Sequence, residues 1–279
     1  VNQMISAETT ERFRRNRNLH IGLVLLSALV LASLFGPLVV PYDPLAIDFG
    51  NSLTPPSLAH PFGTDDLGRD VLARVVAAAR VDLQVVAVCV LLPFLIGSSI
   101  GLISGYFGGW LDLLLMRLVD ILWAFPFYVL VISIVGALGP SIANMYLAFT
   151  MVVWISFARI VRGEVLLAKE VDYVKAAKVL GYSHVRIMFQ HVLPNVITPA
   201  IVFMMADVVL TILAVTSLGF LGLGIQPPTP EWGVMIADGR NFIQDGWWIS
   251  LFPGLAIVLV GITFTFLGDG LDDFLRPKA

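Results

Sequence analysis

Six long apolar runs, separated by shorter polar stretches, organise the chain: residues 19–40, 83–105, 113–138, 142–161, 196–220 and 248–267. A helix needs about 20 largely apolar residues to cross the hydrocarbon of a bilayer. The runs are continuous rather than alternating, which favours helices over the strands of a membrane barrel. The pattern therefore predicts an all-α, polytopic membrane protein with six transmembrane helices. The first run exceeds the ~7–15 residue core of a signal peptide and reads as a retained anchor. Composition agrees: hydrophobic residues make up 58% of the 279 residues and charged residues 13%, against about 25% charged in a soluble domain. Mean hydropathy is +0.88.

The basic residues orient the spans, because cytoplasmic loops retain Lys and Arg. With the N-terminus inside, the inner segments hold Arg12, Arg14, Arg15, Arg17, Arg117, Arg159, Arg162, Lys169, Lys175, Lys178, Arg186, Arg276 and Lys278. The outer ones hold only Arg69, Arg74, Arg80 and Arg240. Both termini are expected in the cytoplasm. Residues 1–18 then form a cytoplasmic N-terminal segment ahead of one six-span domain, 19–279. Segments 41–82 and 223–247 lie outside, and 162–195 is the longest cytoplasmic loop. The net charge of −3 suggests no nucleic-acid partner.

That loop has internal structure. Tyr173, Ala176, Ala177 and Leu180 recur at i, i+3, i+4 and i+7, the spacing of one helix face. Glu170 and Asp172 stand at its start and Lys175 and Lys178 further on, the polarity a helix dipole favours. Gly181 suits a left-handed stop, Ser183 can cap a second short helix, and Pro194 is expected to end it by disfavouring helical geometry at Leu193. Burying Tyr173 or Leu180 against a partner would contribute about 1.5–3 kcal/mol each.

Here the chain resembles a known family. The loop is similar to the Glu-Ala-Ala loop of binding-protein-dependent ATP-binding-cassette (ABC) import permeases, matching at Ala176, Ala177, Gly181, Leu193 and Pro194. Lys175 stands where the family often has Glu, and His191 where the general pattern has Ile. The ending His-Val-Leu-Pro-Asn resembles the dipeptide/oligopeptide/nickel branch. So do HPFGTDDLGRD (60–70), GYFGGWLD (105–112), LVDILWAFP (118–126), FLGLGIQPPTPEWG (220–233) and LGDGL (267–271). The resemblance implies a type I ABC importer permease fold. It implies a coupling helix, seated in an ATPase groove, formed by Tyr173, Val174, Lys175, Ala176, Ala177, Leu180 and Gly181, with Leu193 and Pro194 completing the interface. The implied partners are a second, homologous permease subunit, two ATP-binding subunits carrying ATP and Mg, and an extracytoplasmic solute-binding protein. The implied cargo is peptides or related small solutes.

The chain itself is expected to hold no cofactor, metal or catalytic site. A P-loop needs Gly before its Lys, whereas Lys169, Lys175, Lys178 and Lys278 follow Ala, Val, Ala and Pro. Gly97-Ser98-Ser99-Ile100-Gly101 matches a hydrolase elbow but lies inside a span with no histidine in reach. Gly97, Gly101 and Gly105, four apart, read instead as a small-residue stripe for close helix packing. His184 and His191 are too few for zinc. Cys89, the single cysteine, excludes an intrachain disulfide.

Four charges fall within the apolar runs, where they are costly and face a cavity or a partner. Arg117 and Asp120 at i, i+3 are expected to pair, and Arg159 to snorkel. Asp207, in mid-span, either lines the translocation path or pairs across helices. Pro93 and Pro126 are expected to kink their helices. Pro227, Pro228 and Pro230 predict a rigid outer loop, and with segment 41–82 it offers the surface on which a binding protein would dock. Its tryptophans suit a membrane interface. An ion-coupled secondary transporter is the alternative, supported only by Asp120 and Asp207.

Overall fold

The structure is a computed structural model, which describes residues 11–275. The expectations placed on residues 1–10 and on Arg276 and Lys278 fall outside them. The described residues are helical and form no named strand, with one isolated bridge, between Thr64 and Asp70.

Helix α1, Arg17–Val39, starts where the Asn16 side chain accepts from the Leu19 amide, and Asn16 also donates to the Gly270 carbonyl at 2.6 Å. This ties the first helix to the last. An irregular segment follows and ends at Asp70, whose carboxylate caps helix α2, Val71–Phe107. The cap starts α2 twelve residues before its expected apolar run. The 37-residue helix is about 55 Å long at 1.5 Å per residue, far more than the hydrocarbon thickness, and Pro93 does not break it.

The third apolar run is not one helix. It folds as α3, Gly109–Trp123, and α4, Phe127–Leu138, set at 86° to each other. Pro126 has no amide to donate and disfavours helical geometry at Phe125, so the bend falls there. Gly139, at φ 89°, turns the chain, and the Ser141 hydroxyl caps α5, Ile142–Ala168.

The loop then forms α6, Asp172–Val179, and α7, His184–Ile187, with Gly181 between them at φ 77°. The Ser183 hydroxyl caps α7 as its position predicts. Pro194, however, ends nothing. A π turn, Met188–Val192, leads directly into α8, Leu193–Phe220, and residues His184–Phe220 run as one helix long enough to span. The Leu193 amide reaches back five residues to the Met188 carbonyl. The wider turn and the position of Pro194 at the start of α8 remove the need for a proline N–H.

Helix α9, Trp232–Gly239, and helix α10, Trp248–Leu275, complete the chain. Among the described residues, α1, α2, His184–Phe220 and α10 qualify by length and composition as membrane spans, and the bent pair α3–α4 makes a fifth if it counts as one span. The centre of the molecule is the pairing of α2 with α5. A Cβ on Gly97 would stand 2.2 Å from the Trp154 carbonyl oxygen, and one on Gly101 2.4 Å from that of Ala158. A Cβ on Gly105 would stand 2.9 Å from the Val165 side chain. At these positions the two backbones approach as closely as hydrogen-only side chains allow.

Trp232 and Trp248 are buried pegs rather than interfacial belts. The Trp232 indole donates to the Val75 carbonyl at 3.1 Å, and the Trp248 indole to that of Thr64 at 2.9 Å. Trp232 holds α9 onto the first turns of α2 and Trp248 holds the start of α10 onto the irregular segment before α2, whereas Trp247 stays exposed.

Candidate functional site

Three places combine polar chemistry with unusual burial or exposure. The first is the surface of the α6–α7 loop. Val174 and Ala177 are buried and anchor α6 to the rest of the chain. Tyr173 is 42% exposed, Val179 88% and Leu180 70%, with Ala176 exposed beside them. The helical stripe of the sequence is therefore split: Ala177 faces inward, while Tyr173, Ala176 and Leu180 face outward. Lys175 is exposed and pairs with Glu170 at 3.2 Å. Val185 and Phe189 extend the apolar surface onto α7 and the π turn. Leu193 is half-buried and Pro194 exposed.

Contacts that the sequence does not signal fasten this loop to the end of α2. The Tyr106 hydroxyl lies 2.9 Å from His184 Nδ1, the Lys178 ammonium sits 5.3 Å from the Tyr106 ring centroid, and Lys169 donates to the Gly105 carbonyl at 2.9 Å. Asp112 accepts both Nε and Nη2 of Arg162 at 2.6 Å, and the Ser104 hydroxyl also donates to Asp112. This planar two-point bond is specific to arginine. It clamps the start of α3 to α5. The one signal in the sequence was the conspicuous run 105–112; its partners lie 50 to 78 residues away.

The second place corrects an expected pair. Asp120 bonds Arg159 across two helices rather than Arg117 on its own, and the Arg159 guanidinium also covers the Trp123 ring at 4.5 Å. Both partners are exposed on the surface of the chain.

The third place surrounds Asp207. A cavity of about 300 Å³ is lined by Phe127 and Tyr128 of α4, Ser156 of α5, and Phe203, Asp207 and Thr211 of α8, together with aliphatic side chains. Asp207 is 7% exposed, and its Oδ2 has no hydrogen-bond partner among the described residues. The Thr211 hydroxyl, one turn on, faces the same carboxyl. The aromatic wall exists because the bend at Pro126 swings the first turn of α4 towards α8.

A separate buried acid was missed by sequence reading. Glu231 accepts from the Gly233 and Val234 amides at 2.7 and 2.8 Å, capping α9. Its neighbour Trp232 donates its amide to Asp82 at 3.1 Å. Burial lifts the Glu231 carboxyl to about 7, although the two amide bonds oppose the shift.

Known proteins match this chain along nearly its whole length. Residues 97–279 match the family described as binding-protein-dependent transport system inner membrane component. Residues 6–56 match the N-terminal TM domain of oligopeptide transport permease C. The chain is 42% identical to the dipeptide transport system permease protein DppC of Alkalihalophilus pseudofirmus, over 97% of this chain and 89% of that one. It is 41% identical to the probable D,D-dipeptide transport system permease protein DdpC of Escherichia coli, over 92% and 86%. Identity to the glutathione transport system permease protein GsiD of Escherichia coli is 39%, over 97% and 90%. A crystal structure of an amino acid ABC transporter with histidines shares the fold at a TM-score of 0.50 and 17% identity, covering 69% of this chain and 89% of that one. Taken with the apolar helices and the Ala-Ala-x3-Gly loop, these matches place the chain in the family of inner-membrane permease components of binding-protein-dependent ABC transport systems.

Proposed function

We propose that this chain forms one half of the path by which dipeptides or related small solutes enter a cell, and that partner ATPase subunits drive it through the α6 surface. The reading takes α5 as a sixth span beside the five apolar ones and the bent pair as one crossing. Both termini and the α6–α7 loop then lie in the cytoplasm, and segments 41–82 and 223–247 face the solute-binding protein. A second permease subunit supplies the other half of the path, and ATP with Mg belongs to the two ATP-binding subunits. The Asp207 cavity and Asp120 are placed along the path. The names of the similar permeases support the cargo class.

One observation carries the proposal: Val179 and Leu180 stand out from α6 while Val174 and Ala177 hold it in place. Leaving two large aliphatic side chains on a short polar loop forgoes about 1.5–3 kcal/mol each. A covering partner recovers it. The shell of contacts from Tyr106, Lys169 and Lys178 gives a push on α6 a rigid route to α2.

The test is co-purification of ATPase subunits with a tagged chain, alongside peptide uptake. Leu180→Glu is expected to lose the ATPase subunits and uptake together while the chain still inserts into the membrane. Retention of full uptake by that variant would remove the coupling role. Failure of any ATPase subunit to accompany the unaltered chain would remove the whole reading.

A further inference from the structure

We propose that the Asp207 cavity is a transit subsite for the free α-ammonium group of a peptide substrate. The proposal rests on the reading of the chain as a peptide permease and adds to it the group recognised and the residues that recognise it. An ionised carboxylate in an apolar surrounding is costly unless a cation or hydrogen bonds compensate it. Asp207 is buried, its Oδ2 is unpartnered among the described residues, and the lining holds no Lys, Arg or His. The lining offers an ionised Asp207 no cation of its own, so a cation entering the cavity from outside the chain would be its partner.

The walls select the kind of cation. Calcium, magnesium and other hard ions take six or more oxygen ligands or keep their water. This cavity offers one carboxylate and the hydroxyls of Ser156 and Thr211 against mostly apolar walls. A primary ammonium needs only about three acceptors. It also gains from aromatic faces within about 6 Å, which Phe127, Tyr128 and Phe203 can supply. A volume of about 300 Å³ sits at the lower end of ligand pockets and suits the end of a short peptide better than a large solute. Tyr128 and Leu210 on the rim are exposed on this chain, so the cavity opens outward from it. The carboxylate supplies attraction without a full cage, as a subsite that must release its cargo requires.

The experiment uses the whole transporter, with its second permease and ATPase subunits, in proteoliposomes. Val152→Cys places a small thiol in the lining without removing an acceptor, and its modification by methyl methanethiosulfonate is followed at position 152 by peptide mass spectrometry. Alanyl-alanine is expected to slow modification by about threefold or more as its concentration rises past twice its Kd. Lactyl-alanine has the same shape with a hydroxyl in place of the ammonium, and it is expected to leave the rate unchanged. Adding Asp207→Asn is expected to abolish protection by alanyl-alanine. Equal protection by both compounds, no protection by either, or protection that survives Asp207→Asn would each overturn the subsite; the last would show a carboxyl that works as a neutral acid. The comparison of the two compounds needs no change at Asp207, so it stands even if that variant fails to assemble. Supplying binding protein and ATP to the same vesicles reports import separately. Import without protection sinks the subsite alone, and absence of import sinks the permease reading on which it depends.

Discussion

Replacing Gly101 by Ala should destabilise the protein, although the same change normally stabilises a helix. In a helix interior Ala is worth about 1 kcal/mol over Gly, because it loses less backbone freedom on folding. At Gly101 the new Cβ would lie 2.4 Å from the Ala158 carbonyl oxygen, and ordinary contact begins at 3.4 Å. The helices would have to separate by about 1 Å, and the obstacle is backbone, which cannot rotate away. Overpacking of a well-filled core costs about 1–3 kcal/mol. Here it also loosens the contacts that Val85, Val86, Phe149, Val153 and Phe157 make in the same core. The expected net loss is about 1–3 kcal/mol, and Gly97→Ala, with a 2.2 Å approach, should lose at least as much. The control is Gly163→Ala on α5, where an added Cβ meets nothing within 4 Å; it should be neutral or gain up to about 1 kcal/mol. Thermal unfolding of the purified chain in detergent, with all variants in parallel, gives the ordering. If Gly101→Ala melted with or above Gly163→Ala, the close α2–α5 approach would not be what holds the centre of the molecule together.

Two further outcomes follow from the polar contacts. Asp112→Ala should cost about 1.5–3 kcal/mol through loss of the charged two-point bond, and Arg162→Lys should recover little of it, since an ammonium cannot make both contacts; a double-mutant cycle on thermal unfolding measures the coupling. Attachment of α9 should weaken as pH rises between about 4.5 and about 7. The folded Glu231 carboxyl holds its proton more tightly than the unfolded one, so removing that proton costs the folded state more. Hydrogen exchange at the Gly233 and Val234 amides, corrected for intrinsic rates, should therefore speed up over that interval, and Glu231→Gln should reduce the trend, the buried Asp82 carboxyl at the Trp232 amide remaining in place; a pH-independent rate in the unaltered chain would count against a buried acid.

The apolar runs, hence a helical membrane protein, and the turn chemistry of the α6–α7 loop were legible from the order of residues alone. Ser183 caps and Gly181 stops a helix because those functions need only local backbone and a neighbouring side chain. The family was legible for the same reason: its motif lies in consecutive residues. Tertiary structure decided the rest. It bent one run at Pro126 but let another helix begin at Pro194, because a proline's effect depends on whether the surrounding turn needs its missing N–H. It gave Asp120 to Arg159 instead of Arg117, since the neighbour three residues away on a helix competes with a guanidinium on the next. It divided the α6 stripe into an anchored and an outward face, buried two tryptophans that composition would assign to an interface, and enclosed Asp207 among aromatic rings from a helix about 80 residues away in the chain. Periodicity records which side of a helix is apolar. Which body covers that side is set by packing, and packing brings together residues whose separation along the chain carries no signal.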